Sequence, residues 1–152
     1  MGNKFLKTFL VIGLVAAAAF LQGTNFNIAG VKPNWTLAVL LVLAFFINDF
    51  IFYFILVLLA SVILRFQPSF SWELAVWLLI VLTGFFAARR LPWRGIVNFS
   101  VMICAGTVGF YLLIDHKFVY GNIGVWSAEL IYNVLVGLSL FLTLRYVFQS
   151  KY

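Results

Sequence analysis

The stretch Lys32–Asp49, reading KPNWTLAVLLVLAFFIND, constrains the fold most, because its apolar run is barely long enough to cross a bilayer. From Trp35 to Ile47 there are about thirteen residues, which at 1.5 Å each span roughly 20 Å against a hydrocarbon thickness of about 30 Å. From Phe50 to Leu64 there are about fifteen more, ending at Arg65. The pair reads either as two short helices broken at Asn48-Asp49 or as one long tilted helix. Pro33 stands where a missing N–H is tolerated, at a helix start, and Trp35 where interfacial tryptophans gather.

Composition makes this a bilayer problem. The chain is 65% hydrophobic and 9% charged, too little polar cover for a water-exposed surface. Its 152 residues read as one domain without a linker, repeat or low-complexity run. The net charge of +6 comes from Lys and Arg scattered over loops and helix ends, which reads as a topology signal rather than a nucleic-acid face. Cys104, the only cysteine, has no partner for a disulfide or a zinc framework.

Charge placement chooses between the two readings. With six spans and a cytoplasmic N-terminus, Lys4, Lys7, Arg89, Arg90, Arg94, Arg145 and Lys151 fall inside and only Lys32, Arg65 and Lys117 outside, seven to three. With 35–64 as one helix, the best split is six to four. The positive-inside rule therefore predicts an all-α integral membrane protein with six transmembrane helices, the second and third short, and both termini cytoplasmic. The expected spans are about 5–21, 35–47, 50–64, 72–88, 95–114 and 127–148. Pro68 marks the turn between the third and fourth, and the Arg89–Arg94 loop with Pro92 and Trp93 is the strongest cytoplasmic anchor. Asp115-His116-Lys117 and a Gly-rich aromatic loop running to Trp126 are expected outside. The run Ala16–Ala19 also resembles a signal-peptidase site, but apolar residues continue past it, so retention is the expectation.

Function in a membrane helix is sought first at ionisable and amide side chains, which are costly there. In the last span Glu129, Asn133 and Gly137 follow one another at i+4, and Arg145 continues the stripe. This polar seam reads as interhelical hydrogen bonding or as a contact for a partner or ligand. Asp49 reads as a helix cap or as a contact site. Gly13 and Ala17, four apart, form a small face for close helix packing, inside the chain or with a partner; Gly84 and Ala88 are likewise four apart, and the fifth span sets Gly106 and Phe110 on one side and Ala105 and Gly109 on another. His116, between Asp115 and Lys117, is one histidine beside one acid and does not make a metal site. No nucleophile–base pair, nucleotide loop or metal-ligand spacing is visible, so a non-enzymatic chain without cofactor or metal is expected.

Two segments resemble the bacterial rod shape-determining protein MreD family. Lys32-Pro33-Asn34-Trp35, followed by Leu37 and an aliphatic run, is similar to the family's basic-Pro-Asn lead into its second helix. Ile131-Tyr132-Asn133-Val134-Leu135, closing in Leu144-Arg145, is similar to its asparagine-bearing last helix and basic end. The chain departs from the family at Phe54–Ser61, which lacks the Gly-rich third helix with its acidic residue. The resemblance implies a scaffold subunit of the cell-wall elongation machinery in the bacterial inner membrane, associating with an MreC-like membrane protein and through it with an MreB-like filament and the wall-synthesis enzymes. Gly13, Ala17, Trp35, Asp49, Trp126, Glu129, Asn133 and Gly137 are the candidate contact residues. The architecture is also similar to the substrate-binding S-components of energy-coupling-factor transporters. That alternative places a small-molecule pocket among Trp35, His116, Tyr120, Trp126, Glu129 and Asn133.

Overall fold

The computed structural model describes residues 2–24, 26–64, 71–91 and 95–149. It is all-helical: α1 Gly2–Gly23, α2 Trp35–Leu43, α3 Phe50–Leu64, α4 Trp72–Arg90, α5 Gly95–Ile114, α6 His116–Gly121 and α7 Ile123–Gln149. Four of these helices, α1, α4, α5 and α7, are long and apolar enough to cross a membrane. The chain is a membrane protein on this ground. Arg65, Pro68, Pro92, Trp93, Arg94 and Lys151, on which part of the charge argument rests, lie outside the described residues, as does the side chain of Lys4.

The six longer elements alternate in direction. The Gln22 side chain near the end of α1 accepts a hydrogen bond from the Trp35 N–H at the start of α2 (2.8 Å). The Trp72 indole N–H, opening α4, donates to the Leu113 carbonyl near the end of α5 (3.5 Å). At the opposite end of the bundle, the Lys7 ammonium sits 4.6 Å from the Phe148 ring centroid, so α1 starts where α7 ends. Phe46, just past α2, packs on Phe148 as well (5.7 Å). The Arg89 guanidinium, closing α4, donates to the Ile47 carbonyl (2.7 Å). Lys7, Arg89, Arg90 and Arg145 thus share one end, and Lys32 and Lys117 lie at the other.

Helix α2 is the centre of this arrangement. Every residue from Thr36 to Leu43 is buried, none more than 3% exposed. A helix that is apolar all round is buried either in lipid or in protein, and here α1, α4, α5 and α7 enclose it. Close approach comes from small residues. A Cβ on Gly84 of α4 would lie 2.5 Å from Leu41 Cδ2, and one on Gly106 of α5 would lie 2.8 Å from Leu41 Cδ1. Leu41 is therefore a knob held between two glycines. Buried Tyr53 of α3 ties the neighbours together, its single O–H lying within donating distance of the carbonyls of Leu40 (3.1 Å) and Val81 (3.2 Å).

The ends of α2 are set by particular residues. Ile28 and Val31 exchange backbone hydrogen bonds across Ala29 and Gly30, both at positive φ (50° and 81°), a tight turn that delivers Lys32-Pro33 to the helix. Asn34 is the N-cap, its side-chain oxygen accepting from the Leu37 N–H (3.2 Å). The helix ends at Leu43, not at Ile47 as its apolar run suggests. Phe45 and Phe46 donate instead to the carbonyls three residues back, a tightened turn that hydropathy does not distinguish from helix. Asp49 then starts α3, its Oδ1 accepting from the Ile51 N–H (2.8 Å). The region 35–64 is two helices, not one.

Other boundaries also differ from expectation. The segment 115–126, expected as a loop, is helical: Asp115 caps α6 through the Phe118 N–H (3.1 Å), and α7 begins at Ile123 rather than 127. Helix α1 runs to Gly23 and α4 to Arg90, each about one half-turn beyond the expected end.

Candidate functional site

Helices α5 and α7 run antiparallel, and their facing residues meet at steps of four on each helix. The Tyr111 hydroxyl donates to Glu129 Oε2. One turn along, Asn133 Nδ2 donates to Thr107 Oγ1 (3.2 Å). At the next step a Cβ on Gly137 would come 2.7 Å from Ile103 Cδ1 and 2.5 Å from Phe99 Cζ, so only glycine fits without displacement. Phe99 and Phe141 then stack, centroids 5.3 Å apart. At the last step Gly95 and Arg145 line one cavity. Two rungs are polar, two are close-packed and one is open.

The polar rungs extend to the centre of the bundle. The Asn34 N–H donates to Asn133 Oδ1 (2.8 Å), so the Asn133 amide bridges α5 and the start of α2. Asn133 is fully buried and both its ends are engaged. In an apolar surrounding each lost partner would leave a polar group without water to replace it. Glu129 is also buried, with the Tyr111 hydroxyl on its carboxylate. The chain matches no protein-family profile, no curated protein and no solved structure. The site's meaning therefore rests on its geometry.

The candidate residues fall into three groups. Glu129, Asn133 and Gly137 lie together on the inward stripe of α7, which Phe141 continues; Arg145 is exposed at its end. Trp35 and Trp126 are half-buried toward the end that carries Lys32 and Lys117, and the indole N–H of each is enclosed without an acceptor among the described residues. Trp35 rests against Phe26 (6.0 Å). Gly13, Ala17 and Asp49 are not part of the seam. Gly13 and Ala17 are exposed and a Cβ on Gly13 would touch nothing within 4 Å, so this small face is not used for packing among the described residues. Ala17 and Trp35 line an apolar groove of about 410 Å³ between α1 and α7, floored by Val39 of α2. Asp49 is exposed and serves as a cap.

Of the residues assigned to an outward pocket, His116 and Tyr120 lie exposed on α6, Tyr120 by 74%. Thr107 and Tyr111 are not legible as site residues in the sequence, although their spacing of four toward the C-terminal end of α5 mirrors that of Glu129 and Asn133. Among the described residues no three His, Cys, Asp or Glu side chains gather as a metal set. What the arrangement does chemically is to fix helices: it holds the last helix, the fifth and the start of α2 in one register.

Proposed function

We propose that this chain is a non-enzymatic scaffold subunit of the bacterial cell-wall elongation machinery, a six-span protein of the inner membrane resembling the MreD family. The observation that carries the reading is the hydrogen bond from the Asn34 N–H to Asn133 Oδ1, 2.8 Å long and 99 positions apart in sequence. It joins the two segments on which the resemblance rests. Residues that look like family motifs are here the ones that lock the central helix to the last one.

The six-span reading is supported by the alternating directions and by the enclosure of α2. Nine residues extend only about 13 Å, well short of the hydrocarbon core. Non-helical backbone at membrane depth is tolerated where protein buries it, and the turn after α2 meets that condition: Ala44 and Ile47 are buried, and Arg89 satisfies the Ile47 carbonyl. The end carrying Lys7, Arg89, Arg90 and Arg145 then faces the cytoplasm by the positive-inside rule.

A scaffold is favoured over a vitamin-type S-component because Asn133 is committed on both ends and His116 and Tyr120 lie exposed on α6. The partner, an MreC-like membrane protein, would use the face left unpaired, Gly13 and Ala17 beside the α1–α7 groove. Depletion in the host with microscopy, together with purification in native lipid, tests this. Rounded cells and a co-purified coiled-coil membrane protein are expected. Normal shape without such a partner, or a vitamin-sized adduct held in native mass spectrometry, contradicts it.

A further inference from the structure

At the basic end of the bundle the α5–α7 seam opens into a cavity of about 830 Å³, lined by Phe45, Phe46, Gly95, Ile96, Val97, Phe141 and Arg145. Its wall is aromatic: Phe141 packs on Phe45 (5.9 Å) and on Phe46 (5.3 Å). Arg145 is the cation in its lining, and Lys7 lies at the same end of the bundle, on the Phe148 ring. No acid lines it, and of the four acids in the chain only exposed Asp49 lies at this end, where it caps α3.

We infer that this cavity holds one anionic glycerophospholipid, its phosphate at Arg145 and an acyl chain on the phenylalanine wall. Charge complementarity selects the headgroup, since four described cations share this end with one acid. Gly95–Val97 form the first turn of α5, whose positive dipole end adds to the charge of Arg145. Shape selects a lipid over a free phosphate. Most of the lining is apolar, and Ile96, Val97 and Val101 are 39%, 48% and 43% exposed, a continuous apolar track leading from the cavity along the outer face of α5. Arginine can reach the headgroup level while its methylenes stay against apolar surface. The glycine at 95 keeps the cavity open, because a Cβ there would already lie 3.3 Å from the Phe141 ring. The inference requires only that the chain sits in a bilayer, and it stands or falls separately from the scaffold reading.

The test is native mass spectrometry of the full chain extracted in mild detergent and titrated with phosphatidylglycerol or phosphatidylcholine. Wild type should retain one phosphatidylglycerol at least about tenfold more tightly than phosphatidylcholine. Arg145→Gln should remove most of that preference, while Arg90→Gln, at the same end but outside the cavity, should keep it. Gly95→Leu should weaken retention of both lipids by filling the cavity, with circular dichroism checking that the variant keeps its helical content. Equal retention of the two lipids by wild type, equal losses in Arg145→Gln and Arg90→Gln, or full displacement by inorganic phosphate at matched concentration would each overturn the assignment.

Discussion

The two halves of the α5–α7 seam do different work with the same spacing. Toward the end that carries Lys32 and Lys117, Tyr111–Glu129 and Thr107–Asn133 meet through hydrogen bonds. Toward the basic end, Ile103–Gly137 and Phe99–Phe141 meet through contact alone. In lipid there is little hydrophobic gain in bringing helices together, so packing and polar contacts must supply both affinity and register. The close-packed half supplies affinity, because Gly137 lets the helices approach. The polar half supplies register, because sliding by a turn would strand Glu129 and Asn133.

This division predicts a ranked set of effects. Gly137→Leu should be the most damaging, since it drives a branched side chain into Phe99 and Ile103; overpacking of this kind costs about 1–3 kcal/mol. Thermal unfolding in detergent should show it as the largest loss of midpoint. Asn133→Leu should cost about 1–2 kcal/mol, the upper range for membrane polar contacts, because it frees both Thr107 and the Asn34 N–H. Its effect should extend to α2, seen as faster amide exchange at Asn34 and Trp35. Tyr111→Phe removes one hydrogen bond and should cost about 0.6 kcal/mol in the same unfolding measurement. Gly13→Leu should change stability by less than about 0.5 kcal/mol, since none of the described residues meets it, yet reduce recovery of the proposed partner. If Tyr111→Phe proved more damaging than Gly137→Leu, the assignment of affinity and register would be reversed.

The helical stretches themselves were legible, because long apolar runs between charged or Pro-containing turns leave few other folds. The end of α2 was not. Ala44–Phe46 are as apolar as the helix before them, and only the hydrogen bonding shows the turn. The 115–126 region misled for the opposite reason: Gly121 and Gly124 read as loop punctuation, whereas Asp115 was an available N-cap signal for α6. Which face of each helix is buried was also illegible. In α3 Tyr53 is buried and Phe54 is 37% exposed, and both are aromatic, so no polar–apolar contrast separates inside from outside. Glu129 and Asn133 stood out because amides and acids are rare in such helices. Their partners did not, because threonine and tyrosine pass unremarked in an apolar span.

In the proposed six-span reading, nine-residue α2 and the turn after it carry the chain between the two ends of the bundle, enclosed by the other helices. Site-directed labelling tests that most directly, in a Cys104→Ser background with single cysteines at Lys32, Asp49, Arg90 and Lys117. A membrane-impermeant maleimide should label positions 32 and 117 in intact cells and reach 49 and 90 only after permeabilisation. Labelling of 32 and 49 from the same side would contradict the six-span bundle and the central place given to α2.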